Sequence, residues 1–268
     1  MIPLRDDIPS SIAPVVNYSL IGACTLVFLV QLSLGDRVDR FVERYGMVPA
    51  QVTHPEERIV VESEEIRHMG PMAFRVPVRR ELERPPFHPW LTILTCIFLH
   101  GGWMHFLGNM LFLYIFGDNV EDRLGHVGYL AFYLGMGVAA SLTHYVTGPD
   151  SVVPTIGASG AIAGVMGAYF LLYPGAQVLT LVPIFYFLEF VVLPAYVFLG
   201  LWFVIQFFQG TFALTGREMG GVAWWAHVGG FAAGAAVLYL LRAQRWLRQV
   251  RPRYEHARPF SHYRQRPW

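Results

Sequence analysis

The chain has 268 residues, of which 54% are hydrophobic and only 15% are charged, with a formal net charge of +1. A soluble domain usually carries charge on about a quarter of its residues, so this composition indicates a lipid surrounding and excludes an ordinary soluble domain. The small net charge also argues against a nucleic-acid partner, because phosphate backbones are bound by clusters of basic side chains.

Six apolar segments are long enough to predict membrane-spanning helices, which need roughly 20 mostly apolar residues. In chain order they are residues 16–34, 91–116, 127–146, 156–173, 193–208 and 222–241. The first is predicted to be a true span rather than a signal peptide, because its upstream flank contains Arg5, Asp6 and Asp7 instead of a basic region. The pattern predicts an all-α polytopic membrane protein.

The fifth span is the least clearly bounded. Apolar sequence runs from 178 to 208 and is interrupted by Pro183 and Pro194, each of which lacks a backbone donor and interrupts a helix. We therefore expect residues 178–190 to form a re-entrant or interfacial connection before the fifth span. Such a connection needs protein around its backbone polar groups.

Basic residues predict the orientation of the spans, because short basic flanks stay on the cytoplasmic side. Several arginines follow the last span, namely Arg242, Arg245, Arg248, Arg251 and Arg253. We expect a cytoplasmic tail at 242–268, a short cytoplasmic N-terminus at 1–15 and an extracytoplasmic loop at 35–90. Alternating residues at 58–62 and 74–78 predict a β-hairpin in that loop.

Polar side chains inside spans are costly and therefore mark functional hypotheses. The second span contains His100, His105 and Asn109. His105 and Asn109 are four residues apart and share one helix face. They are either polar contacts to neighbouring helices or donors for an oxyanion, and His100 is expected to support the adjacent loop or a water.

The fourth span begins with a serine between glycines. Gly157 and Gly160 flank Ser159 closely, a pattern that leaves a hydroxyl and nearby backbone N–H groups accessible for catalysis. The same glycines also suit close packing of helices in a membrane. Both interpretations remain open on this motif alone.

The sixth span carries His227, followed by Gly230 and Gly234 at helical spacing. If these glycines face the glycines of the fourth span, His227 and Ser159 come within hydrogen-bonding distance. A neutral imidazole is a suitable base for a serine at physiological pH. No carboxylate lies within the spans near His227, so a dyad is predicted, with Glu189 as the one alternative.

These residues together resemble the rhomboid family of intramembrane serine proteases. The resemblance covers roughly residues 91–241, the predicted catalytic core. It rests on three motifs, His-x-x-x-Asn at 105–109, Gly-x-Ser-Gly at 157–160 and Ala-His-x-x-Gly-x-x-x-Gly at 226–234, and on a short loop containing Glu121 and Arg123.

The resemblance implies a catalytic dyad of Ser159 and His227, and an oxyanion site formed by His105, Asn109 and the backbone N–H of Ser159. It implies transmembrane protein substrates within the lipid membrane, and neither a metal nor an organic cofactor. The fifth span, 193–208, would act as a substrate gate and the segment 210–221 as a cap.

Two features differ from many family members. Ala163 stands where some rhomboids carry an aromatic residue that stacks on the histidine, so another group must orient His227, for which Trp224 and Trp225 are candidates. A Trp-Arg pair common in the first loop is absent. Substrate access and lateral placement in the membrane are therefore open questions.

Two other classes of function are weighed against the protease. One is a catalytically inactive relative that binds transmembrane clients. The other is a transporter or channel in which His100, His105 and His227 form a proton or metal path. A bacterial inner membrane is the expected location, while the substrate, the pathway and the oligomeric state are not determined by the sequence.

Overall fold

A computed structural model describes residues 1–69, 72–184, 187–213 and 223–249. Within these residues the chain is mostly helical. The helices are α1 (Val15–Ser33), α2 (Val38–Tyr45), α3 (Pro49–Thr53), α4 (Thr92–Thr95), α5 (Trp103–Leu124), α6 (His126–Thr147), α7 (Ser159–Leu172), α8 (Ala195–Ala213) and α9 (Trp224–Ala243). Arg251, Arg253 and much of the predicted cap segment lie outside the described residues.

In the described part of the chain, three helices are long and apolar enough to cross a membrane, namely α1, α8 and α9. A fourth qualifies if the short helices from Pro89 to Phe98 are counted together with α5. The helix α7 is apolar but shorter. Helices lie at all six predicted spans, but among the described residues only these three or four are long and apolar enough to cross a membrane, so the count of six stays a prediction.

The second predicted span is not one continuous helix. The segment Pro89–Phe98 and α5 are bent by 79° at the break between them. Leu99 is extended, and Gly102 at the start of α5 has φ of +146°, a conformation that side-chain-bearing residues rarely adopt. The predicted span at 91–116 is therefore not a continuous helix, because the chain turns between Leu99 and Gly102.

The all-α class is also too narrow, because the described chain contains strands. The predicted connection at 178–190 belongs to a β-hairpin of β4 (Gln177–Ile184) and β5 (Phe187–Pro194). The N-terminal strand β1 (Ile2–Asp6) pairs with β4, giving the antiparallel order β1-β4-β5. The backbone N–H and C=O groups of this connection are therefore paired by hydrogen bonds between neighbouring strands.

The hairpin predicted in the loop at 35–90 is confirmed. Strands β2 (Val60–Met69) and β3 (Met72–Glu81) pair antiparallel, with Val60 opposite Glu81. An ion pair between Glu43 of α2 and Arg80 of β3 links the hairpin to the rest of the loop. Burial by itself raises the pKa of Glu43, but the hydrogen bond from Arg80 helps to hold this pKa below its ordinary value.

The carboxylate of Glu121, near the end of α5, holds the start of α1. It accepts hydrogen bonds from the backbone N–H groups of Val16 at 3.0 Å and Asn17 at 2.8 Å. These donors lie in the first turn of α1, where a helix leaves its N–H groups without internal partners and favours negative charge. Glu121 is fully buried, so it fixes α1 against α5.

The helices α7 and α9 pack backbone to backbone. A Cβ atom on Gly230 would overlap the carbonyl oxygen of Gly160, and one on Gly234 would overlap the backbone of Gly164. Small residues permit such an approach in membranes, where dispersion contacts rather than the hydrophobic effect hold helices together. The packing face suggested by the glycine spacing is therefore present.

Replacing Gly234 with alanine should destabilise the protein by about 1–3 kcal/mol or more, because the added methyl group meets backbone atoms that cannot rotate away. The matched control is Gly135→Ala on α6, since nothing lies within 4 Å of a Cβ at that position. Alanine favours helix over glycine, so the control should be neutral or slightly stabilising. Thermal unfolding in detergent compares them, and equal melting temperatures would contradict the packing argument.

Asp6, the last residue of β1, joins the N-terminal strand to two helices. Its Oδ2 atom accepts hydrogen bonds from the hydroxyl of Tyr169 on α7 at 2.5 Å and from Nδ2 of Asn119 on α5 at 2.9 Å. Burial raises the pKa of Asp6 to about 7. The folded protein therefore retains a proton on Asp6 that the unfolded chain loses at a lower pH.

The stability contributed by this group should fall as pH rises from about 4 to about 7, because only the unfolded chain ionises readily in that window. Asp6→Asn cannot ionise and should lose this part of the pH dependence, a difference of about 1–4 kcal/mol. Unfolding of both proteins is compared at pH 5 and pH 8. Parallel pH profiles for the two proteins would rule the effect out.

Candidate active site

The polar residues singled out in the sequence lie near the same end of three helices. His105 and Asn109 lie in the first two turns of α5, Ser159 is the first residue of α7, and His227 lies in the first turn of α9. The glycine contacts between α7 and α9 begin with Gly160, the residue after Ser159, and with Gly230, three residues after His227. Close helix packing therefore brings the first turns of α7 and α9 together.

The side chains of Ser159 and His227 are hydrogen-bonded. The distance between Ser159 Oγ and His227 Nε2 is 2.7 Å. His227 is only 8% exposed, whereas Ser159 is partly exposed. Gly157, with φ of +129°, turns the chain into α7 just before the serine, a conformation that glycine adopts without strain.

The other ring nitrogen of His227 is occupied by a residue that the sequence analysis missed. Nδ1 of His227 lies 2.6 Å from Oε1 of Gln206 on α8. Gln206 is 7% exposed. The available signal was a strongly polar side chain within an apolar helix, whereas the groups predicted to orient the base were a carboxylate or the tryptophans at 224 and 225.

Two tryptophans also contact the ring of His227. Trp224 meets it edge-on with ring centroids 6.1 Å apart, and Trp202 lies tilted against it at 5.8 Å. Trp225, the other aromatic candidate, instead donates a hydrogen bond to the carbonyl of Gly210. The carboxylate alternative Glu189 lies on β5, and Nδ1 of His227 is paired with Gln206 instead.

His105 lies beside the serine. Its Nδ1 atom accepts a hydrogen bond of 3.3 Å from the backbone N–H of Gly101, which leaves the proton of a neutral ring on Nε2. A Cβ atom at Gly157 would lie 2.7 Å from His105 Nε2 and 3.4 Å from Ser159 Oγ. The N–H donor of His105 and the hydroxyl of Ser159 therefore border the same small space.

Asn109 is buried, with 8% of its surface exposed. Within the part of the chain that the structure describes, its Nδ2 atom has no hydrogen-bond partner. A buried amide donor without a partner costs on the order of 1–3 kcal/mol, and such groups are uncommon in folded proteins. An unpaired donor one turn beyond His105 is the arrangement expected of an oxyanion site before substrate binds.

His100 is held mainly through its backbone. Gln31 of α1 accepts from the N–H of His100 at 2.9 Å and donates to its carbonyl at 3.0 Å. The imidazole is 2% exposed, packs against the rings of His105, Phe106 and Phe28, and has no hydrogen-bond partner among the described residues. His100 thus supports the turn before α5.

The geometry does not favour a metal path. Among the residues described, no group of three or more His, Cys, Asp or Glu side chains is placed to hold a metal ion. His105 and His227 instead flank the hydroxyl of Ser159 with one donor and one acceptor nitrogen. The arrangement thus places the hydroxyl of Ser159 between a nitrogen that can accept its proton and a nitrogen that can donate a hydrogen bond.

The chain is similar to rhomboid proteins. The family model described as Rhomboid domain matches residues 88–244, which include every residue of the candidate site. Rhomboid-like protein 11, chloroplastic, of Arabidopsis thaliana is 41% identical over 78 residues, 29% of this chain and 28% of that protein.

Two further relatives come from a bacterium and from yeast. Rhomboid protease GluP of Bacillus subtilis is 40% identical over 79 residues, 30% of this chain and 15% of that protein. Rhomboid protein 1, mitochondrial, of Saccharomyces cerevisiae is 32% identical over 96 residues, 34% of this chain and 28% of that protein. Each of the three matches spans less than a third of the relative's own length.

Proposed function

The chain belongs to the rhomboid family of integral membrane proteins, and on this premise we propose that it is a serine endopeptidase that cleaves transmembrane proteins within or near the bilayer. The observation that carries the proposal is the 2.7 Å hydrogen bond between Ser159 Oγ and His227 Nε2. A serine is a weak nucleophile until a base removes its proton, and this hydrogen bond supplies the base.

In the first step, Ser159 Oγ forms a bond to the carbonyl carbon of the scissile peptide while His227 Nε2 takes the hydroxyl proton. The electron pair of the C=O double bond moves onto the carbonyl oxygen. This electron pair then re-forms the C=O double bond as the C–N bond breaks, and His227 donates the same proton to the amide nitrogen, so that the amine product leaves. Water repeats the sequence on the acyl-enzyme and releases the acid.

The negative charge on the carbonyl oxygen needs donors placed in advance. The candidates are Nε2–H of His105, the unpaired Nδ2–H of buried Asn109 and the backbone N–H of Ser159. Donors fixed before the reaction need no reorganisation when the charge develops, which makes this kind of stabilisation large in enzymes. Neutral donors also avoid burying a fixed charge in the membrane.

Transmembrane helices are the proposed substrates because the site lies beside a helix with an apolar outer surface. Gln206 of α8 is buried, whereas Val204, Ile205 and Phe208 of the same helix are 46%, 41% and 55% exposed. An apolar surface of this kind suits lipid contact. We infer that substrate reaches the site past α8, and that the site's position near the helix ends gives water access for hydrolysis.

Both chain ends are proposed to lie in the cytoplasm, with a bacterial inner membrane as the location. The strand β1 shares a sheet with the connection between α7 and α8. After α9, the backbone N–H of Arg248 bonds to the carbonyl of Arg123 at the end of α5. These contacts support one common side for both ends, and Arg242, Arg245 and Arg248 favour the cytoplasmic side.

We expect the wild-type protein in lipid vesicles to cleave a labelled transmembrane reporter, and Ser159→Ala to lose at least about 10³-fold in rate because the nucleophile is missing. Ser141→Ala is the matched control, since Ser141 is buried on α6 and contacts Cys96 rather than the site. Cleavage that persists in Ser159→Ala would refute the mechanism. A folded wild type that binds the reporter without cutting it would favour the inactive, client-binding alternative.

Replacing Asn109 with alanine should lower kcat by roughly 10²- to 10³-fold with little change in KM, because an oxyanion donor acts mainly in the transition state. Asn119→Ala is the control, since Asn119 is also a buried asparagine of α5 but bonds to Asp6. The control should reduce stability and leave kcat of the folded enzyme unchanged. A higher KM with normal kcat in Asn109→Ala would instead assign Asn109 to substrate binding.

A further inference from the structure

Gln206 is a polar side chain of the apolar helix α8 that points into the protein. It is 7% exposed, whereas its neighbours Ile205 and Phe207 are 41% and 43% exposed. Burying an amide is unfavourable unless the amide is hydrogen-bonded. Among the described residues, the amide of Gln206 forms a hydrogen bond of 2.6 Å to His227 Nδ1, so the inward orientation places this amide against the base of the candidate site.

The chemistry of the two groups decides where the proton of His227 lies. The amide oxygen Oε1 of Gln206 only accepts hydrogen bonds, so Nδ1 of His227 must be the donor. A neutral imidazole carries one N–H, and its Nε2 is then unprotonated. That nitrogen is the one 2.7 Å from the hydroxyl of Ser159, as a general base requires.

The opposite tautomer would be unproductive. With the proton on Nε2, His227 would present a donor to Ser159 and could not accept the hydroxyl proton. Trp202, one turn before Gln206 on α8, also packs against the ring at 5.8 Å. The helix α8 thus contacts His227 both through a hydrogen bond to its edge and through an aromatic ring.

We propose that Gln206 is a positioning residue that holds His227 in the tautomer and orientation in which Nε2 accepts the proton of Ser159. This proposal rests on the proposed protease function and extends the dyad to a hydrogen-bonded triad of Ser159, His227 and Gln206. No proton passes to the amide. When the proton arrives at Nε2, the ring becomes cationic and its Nδ1–H bond to Gln206 becomes a stronger, charge-assisted one.

A neutral amide has a physical advantage over a carboxylate at this position. A buried carboxylate needs a charged partner at all times, and the resting imidazole is neutral. The amide oxygen of Gln206 satisfies the ring N–H without adding a second charge to the apolar interior. The dipole of the amide then stabilises the positive charge that develops on His227 during proton transfer.

The first experiment compares cleavage by the full-length protein and by Gln206→Leu in lipid vesicles. We expect kcat to fall by roughly 10- to 100-fold with KM nearly unchanged, because positioning of the base matters in the transition state. Gln209→Leu, three residues further on the same helix and half-buried, is the matched control and should keep normal kcat. If Gln206→Leu does not fold, Gln206→Met carries the same test.

Gln206→Glu restores the acceptor and adds a charge. We expect it to recover at least part of the rate lost in Gln206→Leu, and to move the acid limb of the pH–rate profile to higher pH, because a carboxylate stabilises the imidazolium. Among the residues that the structure describes, the other titratable groups near His227 are His105 of α5 and His144 of α6, and both are the same in all variants. Folded variants that keep wild-type kcat, or a Glu variant no better than Leu, would overturn the proposal.

A second readout does not depend on activity. In protein labelled with ¹⁵N-histidine, the imidazole signals of His227, assigned by comparison with His227→Ala, should report the Nδ1–H tautomer in the wild type and a mixture in Gln206→Leu. The same tautomer in both would refute the role of Gln206 even if cleavage occurs. A wild type with the expected tautomer but no protease activity would instead count against the proposed function alone.

Discussion

The structure depends on the close approach of α7 and α9. Gly230 and Gly234 contact the backbone of Gly160 and Gly164 directly, and no larger residue fits between these helices. The serine precedes the first contact on α7 by one residue, and the histidine precedes that on α9 by three. The hydrogen bond between Ser159 and His227 therefore follows from helix packing, because each side chain begins at the point where the two backbones converge.

Buried polar side chains supply the other long-range constraints. Glu121 of α5 binds the first N–H groups of α1, and Gln31 of α1 binds both backbone groups of His100. Both side chains bind backbone N–H or C=O groups that have no partner within a helix or sheet, and such groups are costly where water is scarce. Together they fix α1 against both ends of the segment that carries His105 and Asn109.

The site itself combines paired and unpaired polar groups. His227 is bonded at both ring nitrogens, to Ser159 and to Gln206, whereas Asn109 Nδ2 has no partner among the described residues. A base must be oriented before the reaction, while an oxyanion donor must be free to meet a charge that forms during it. The difference between the two residues matches the two roles proposed for them.

The sequence by itself identified Ser159, His227, His105 and Asn109 as candidate site residues, because reactive side chains are rare in apolar segments. The spacing of the glycines also predicted a contact between two helices. It also predicted the hairpin of β2 and β3, whose alternation is local.

Only the tertiary structure decided the partners that come from distant parts of the chain. The strand β1 pairs with residues more than 170 positions away, and the break before α5 divides a segment that hydropathy reads as continuous. Gln206 belongs to no motif, and apolar residues occupy most positions on every face of its helix, so periodicity could not assign the face it occupies. In the folded protein Gln206 faces His227 on α9, because its amide can form a hydrogen bond there, whereas lipid chains offer no hydrogen-bond partner.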